Sequence, residues 1–149
     1  MVDIYSKEKR SDIMSRIRST GTTPETKLYA LARDVLGPRP RMLRHPKTLP
    51  GTPDLYVPSL KLALFADGCF FHGCPAHGHI PHSNGTYWAK KIDRNSKRDR
   101  QHRTALRRRG ISVWRFWEHE LKPTRLDAAR RRIGRAVQCA RARVVDNGR

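Results

Sequence analysis

LPGTPDLYVPSLKLALFADG, residues 49–68, packs a turn and two strand-like runs into one short stretch. Pro50, Gly51 and Pro53 mark the turn, and PDLYVP (53–58) is an extended run bounded by prolines. LKLALFADG (60–68) is richly apolar, as a strand covered on both faces would be. The few residues between the two runs predict a hairpin in a partly buried sheet. RMLRH (41–45) upstream is a weaker third run, and ISVWRFW (111–117) downstream is a β-branched, aromatic fourth.

Helical patterns surround these runs. In TTPETKLYALARDVLG (22–37), Thr22 or Thr23 can cap, Pro24 suits the first turn, and Leu28, Leu31, Ala32 and Val35 form one apolar stripe before Gly37. Residues 86–109 place Trp88, Ile92, Asn95, Asp99, His102 and Leu106 on one face, with Arg and Lys elsewhere and Gly110 as the stop. A basic closing helix (within 122–149) carries Leu126, Ile133, Val137 and Ala140. Ile13, Met14 and Ile17 suggest a basic N-terminal helix or arm in residues 1–20. The order αα-βββ-α-β-α predicts an α/β fold, a mixed sheet flanked by helices, in a single domain over residues 1–149.

Charge narrows the function. Lys and Arg number 32 against 13 acidic residues, a net charge of +19, which points to a polyanionic partner such as nucleic acid. No apolar run approaches the roughly 20 residues of a membrane span, and MVDIYSKEKR lacks the apolar segment of a signal peptide. Three cysteines, two of them among histidines, suit a metal site in a reducing compartment better than a disulfide framework. A cytoplasmic protein without membrane association is expected. Cys139 reads as a small apolar residue on the closing helix.

GCFFHGCPAHGH (68–79) holds the densest chemistry. Zinc takes four tetrahedral ligands from Cys and His. Cys69 and Cys74 supply two, His77 a third with His79 as alternative, and His119 of WEHEL a fourth if its strand ends beside the loop. The plainer reading is buried cysteines with surface histidines. Four protein ligands would make the site structural. His72, between the cysteines, could then turn away and move protons near neutral pH. Asp54 offers a hard oxygen suited to Mg2+, although an aspartate at a turn often only caps it.

Five segments occur here in the same order as in the very short patch repair (Vsr) DNA mismatch endonucleases: RSDIMSRIRSTGTTPE, LPGTPDLYVP, FADGCFFHGCP, YWAKKIDRNSKRDR and VWRFWEHEL. The chain resembles that family over about residues 7–121. The resemblance implies a restriction-endonuclease-like fold and a hydrolase that nicks one strand of duplex DNA beside a T:G mismatch, the product of 5-methylcytosine deamination. It implies Mg2+ for cleavage and a structural Zn2+. By position, Asp54 would be the central Mg2+ ligand, with the backbone carbonyl of Ala66 helping to hold the ion. His72 would be the acid/base residue, and Glu25 a carboxylate acting on the metal through a water. First-turn helix capping is the plainer role for Glu25. Asn95 and Asp99 match positions near the active site. Phe70, Phe71 and Trp88 match intercalating aromatics, and Met14 a wedge from the opposite groove; core packing is the alternative for each. A monomer is expected, with repair-protein partners left open.

The chain departs from the family in places. Phe71 stands where the family often has Trp, and Asp67 where some members have His. Asp67 could add a metal ligand or alter nearby pKa values. The zinc ligands follow a variant order, and LFADG has no Glu-x-Lys motif, which weakens a generic restriction-enzyme reading. The rivals are a related restriction or defence nuclease of different specificity, and a non-catalytic zinc-containing DNA-binding module.

Overall fold

The computed structural model describes residues 23–148. The N-terminal arm and Met14 lie outside this range. Helix α1 (Thr23–Leu36) is followed by strands β1 (Leu43–Arg44), β2 (Leu55–Val57) and β3 (Leu62–Asp67), then helix α2 (Gly85–Arg108), strand β4 (Ser112–Trp117) and helix α3 (Leu126–Asn147). Helix α1 stops where Gly37 turns left-handed (φ +75°), its N–H donating to the Arg33 carbonyl at 2.9 Å.

The sheet order is β1-β2-β3-β4. The first two pairings are antiparallel and β3–β4 is parallel, in register from Leu62↔Ser112 to Asp67↔Trp117. The expected hairpin forms through a tight 3-10 turn, Pro58–Leu60, closed by Lys61 at φ 46°. A parallel pair needs a long crossover, and α2 supplies it. The fold is α/β with a mixed sheet, as the element order predicts.

Side-chain alternation divides the molecule. Leu62 and Leu64 join Leu55, Val57 and Phe116 in a core against α1 and α3. Ala63 and Phe65 face the other way, packing with Leu106 and Ile111 beneath α2. Strand β3 is therefore buried on both faces, which explains its continuous apolar run. Ile133, Val137 and Ala140 of α3 enter the first core as expected, together with Ala129 and Ala136. Cys139 sits on α3 but is exposed.

Strand β4 is a sheet edge, and its outer carbonyls need partners. Arg132 Nη1 donates to the Arg115 carbonyl at 2.7 Å and reaches Glu120, while Glu120 accepts the Trp117 N–H at 2.7 Å. Among the described residues, no helix is long and apolar enough to cross a membrane. Counting by twos from Tyr56, Phe65 and Val113, which pack on the α2 side, puts Asp54, Asp67 and Arg115 on that same side.

Candidate active site and metal centre

A cleft of about 500 Å³ opens between the sheet and α2, lined by Glu25, His45, Asp54, Asp67, His72 and Asp99 among others. The Pro/Gly turn brings Asp54 there. Gly51 is left-handed (φ +73°), and a Cβ on it would stand 2.8 Å from the His102 ring, so only glycine lets the turn approach α2 this closely. Asp54 Oδ2 accepts the Ala66 N–H at 2.7 Å. Burial pushes the Asp54 carboxyl up to about 7; the Ala66 bond opposes this, and the Glu25 and Asp67 charges add to it.

Glu25 is buried in the first turn of α1. Between the two carboxylates lies His45, with Nε2 3.3 Å from Glu25 and Nδ1 3.8 Å from Asp54. Glu25, His45 and Asp54 each offer a donor atom within 4.8 Å of the others, so they could hold a metal ion. Sequence reading passed over His45. The β1–β2 register pairs Arg44 with Leu55, which carries His45 opposite Asp54. Folding the chain about Leu49 and Pro50 would have revealed that.

Elsewhere in the cleft, His72 Nδ1 is 2.6 Å from Asp99 Oδ2. Burial alone would depress the imidazole, but the Asp99 hydrogen bond and the Asp67 and Asp99 charges outweigh it and raise the His72 pKa. Burial likewise opposes ionisation of Asp99, yet the bond to His72 holds that carboxyl below its ordinary value. Asp67 is outside the Glu25–His45–Asp54 group; it takes a two-pronged grip from Arg115, at 2.5 and 2.8 Å. The Arg115 guanidinium lies over the Phe65 ring and reaches within 3.6 Å of Asp99. Its signal in the sequence was a lone arginine inside an aromatic strand.

The second donor cluster lies on the 68–79 loop and the turn after β4. Cys69, Cys74, His77 and His119 place donor atoms within 4.8 Å of one another. His119 Nδ1 is 3.2 Å from Cys69 Sγ and 3.7 Å from Cys74 Sγ. His79 is outside this group and packs against Phe70 instead. Two thiols and two imidazoles form the soft, four-donor set that suits a closed tetrahedral site. Burial, helped by Cys74, pushes the Cys69 thiol up despite its contact with His119; a metal ion taking the thiolate would reverse this. Backbone bonds shape the loop: Cys74 N–H donates to the Cys69 carbonyl at 2.9 Å and Gly78 N–H to the Cys74 carbonyl at 2.7 Å. A Cβ on Gly78 would lie 2.5 Å from that Cys74 oxygen.

The aromatics stack on the same loop. Phe70 meets Phe71 edge-on and Trp88 at 5.1 Å between centroids. Phe70 and Phe71 are half-buried, whereas Trp88 is only 8% exposed and supports Phe70 from below. Asn95 Nδ2 donates to the Phe71 carbonyl at 2.9 Å, so Asn95 and Asp99 both point from α2 toward the loop that carries His72.

Comparison with known proteins agrees with this geometry. The family model for the DNA mismatch endonuclease Vsr matches residues 2–77. The type II nicking enzyme V.XorIIP of Xanthomonas oryzae pv. oryzae is 41% identical over 122 residues, covering 81% of this chain and 88% of that protein. The type II nicking enzyme V.NaeI of Lentzea aerocolonigenes is 42% identical over 114 residues, 74% of this chain and 68% of its own. The DNA mismatch endonuclease Vsr of Escherichia coli is 31% identical over 127 residues, 82% and 77% of the two chains. With a cleft of carboxylates and imidazoles beside an aromatic loop, the chain belongs to the Vsr family of DNA mismatch endonucleases and is itself a DNA endonuclease.

Proposed function

We propose that the protein nicks one strand of duplex DNA beside a T:G mismatch arising from 5-methylcytosine deamination, using Mg2+ in the acidic cleft and a structural Zn2+ on the 68–79 loop. The observation that carries this reading is the convergence of Asp54, Glu25 and the His72–Asp99 pair in one cleft next to Phe70 and Phe71. A four-stranded mixed sheet with Asp54 at the mouth of its hairpin is consistent with a restriction-endonuclease-like fold.

Asp54, with the Ala66 carbonyl, would hold the cation, and Glu25 would act on it through water. Bound there, a divalent ion supplies Lewis-acid charge at the scissile phosphate. His72 is tied through Nδ1 to Asp99, which leaves Nε2 to carry a proton. Its raised pKa favours the charged form, so His72 is suited to protonate the leaving oxygen as water attacks phosphorus. Asp67, gripped by Arg115, would act on pKa values and not as a ligand. The Cys/His set would pin the loop so that Phe70 and Phe71 reach the weakly stacked mismatch while Trp88 braces Phe70. The names of several relatives specify nicking, which supports one-strand cleavage and keeps a sequence-directed specificity as the second reading.

Matched duplexes carrying T:G or C:G at one position test this, with Mg2+ or EDTA and with Asp54→Ala in parallel. The expected result is a Mg2+-dependent nick beside the T, absent from C:G and from the variant. Equal cutting of both duplexes would overturn the mismatch specificity.

A further inference from the structure

His45 holds an unusual place in the cleft. Its backbone is left-handed (φ 48°), a conformation that costs a non-glycine residue energy. The chain bears that cost at a point where the imidazole comes to lie between two carboxylates. The separations, 3.3 Å to Glu25 and 3.8 Å to Asp54, exceed the roughly 2.7–2.9 Å of a charge-assisted hydrogen bond. The ring is therefore not drawn tightly onto either partner. Neighbouring ligands on one small divalent ion, each about 2.1 Å from it, stand about 3 Å apart. The His45 and Asp54 donors are 3.8 Å apart, a spacing that one ion could draw together, with Glu25 close enough to join through a water.

We propose that His45 gives the cation site at Asp54 a nitrogen donor, so that the site selects manganese-type ions over magnesium more strongly than an all-oxygen site would. This rests on the reading of Asp54 as the cation ligand. Imidazole suits transition ions, whereas magnesium takes oxygen and keeps its waters. A His45 that served only to brace Glu25 would affect both ions alike. Nitrogen ligation affects one.

The probe is Mn2+ alone, added to the full chain whose Cys/His set has first been filled with zinc. Binding is read by electron paramagnetic resonance, nitrogen coordination by the 14N modulation of the pulsed signal, and Mg2+ affinity by competition. The variants are His45→Asn, which tolerates a left-handed backbone, with His45→Gln as a second, and Asp54→Asn. Expected are 14N modulation in the parent protein and its loss in both His45 variants. Mn2+ affinity should fall about tenfold or more while Mg2+ affinity stays within about twofold. Modulation that persists without His45, or equal losses for both ions, overturns the inference while leaving the Asp54 reading intact. Mn2+ binding as tight in Asp54→Asn as in the parent overturns both.

Discussion

The two donor clusters of this protein are built in opposite ways. Cys69, Cys74 and His77 come from one tight loop, joined by His119 at the end of β4. The acidic cleft instead draws Glu25 from α1, His45 from the end of β1, Asp54 from the turn before β2, and Asp99 from α2. The loop cluster offers soft thiol and imidazole donors. The cleft gathers carboxylates out of water, and burial, aided by the Glu25 and Asp67 charges, raises the Asp54 pKa. On the reading proposed above, the first region serves architecture and the second serves chemistry.

The largest expected effect separates these roles at once. Asp54→Asn should lower nicking by about 10³-fold or more, since the cation's charge stabilisation is worth several kcal/mol. The same variant should melt no lower than the parent protein without added divalent ion, because it removes a buried charge. Mismatch nicking assays and thermal melts read the two quantities. A parallel loss of both would dissolve the distinction.

Cys74→Ser should do the reverse, with metal analysis and melting as readouts. We expect loss of bound zinc, a melting temperature lower by several degrees, and a fall in activity that follows the unfolded fraction. A variant that keeps its melting temperature yet loses all activity would move the Cys/His cluster into the chemistry.

Next in size is pH. Asp54 takes up a proton below about 7, so cation binding should weaken there by up to about tenfold per pH unit. Nicking should fall again at alkaline pH, as His72 loses its proton above its raised pKa. Both folded pKa values lie above the unfolded ones. Their stability contributions are therefore complete below the unfolded values, near 3.9 for Asp and 6.5 for His, and are lost as pH rises through the folded values. Melting temperatures without added divalent ion should accordingly decline with rising pH, and Asp54→Asn should flatten the part below about 7.

The smallest expected effect is at the seam between the regions. Asn95→Ala removes the bond to the Phe71 carbonyl and an exposed one accepted from Arg98, and should cost about 1 kcal/mol. If Asn95 acts through the loop, the salt dependence of DNA binding stays unchanged; a changed slope would mean that Asn95, or the Arg98 it holds, contacts phosphate.

Among the described residues, the sequence by itself determined the helices, the hairpin, the order of elements, and Cys69 and Cys74 as donors of one cluster. Those signals are local: apolar periodicity, turn residues, and donors a few positions apart. Periodicity also selected the inner face of α2, on which Trp88 and Leu106 are buried and Asn95 and Asp99 make their contacts. Only the tertiary structure decided between His77 and His79, set His45 opposite Asp54, and tied Asp67 to Arg115 across the parallel β3–β4 pair. It also placed Trp88 under Phe70. These outcomes depend on strand register and on the packing of α2 over the sheet. The β3–β4 register alone pairs residues 50 positions apart, Leu62 with Ser112 among them, a separation over which no local pattern in the chain carries information.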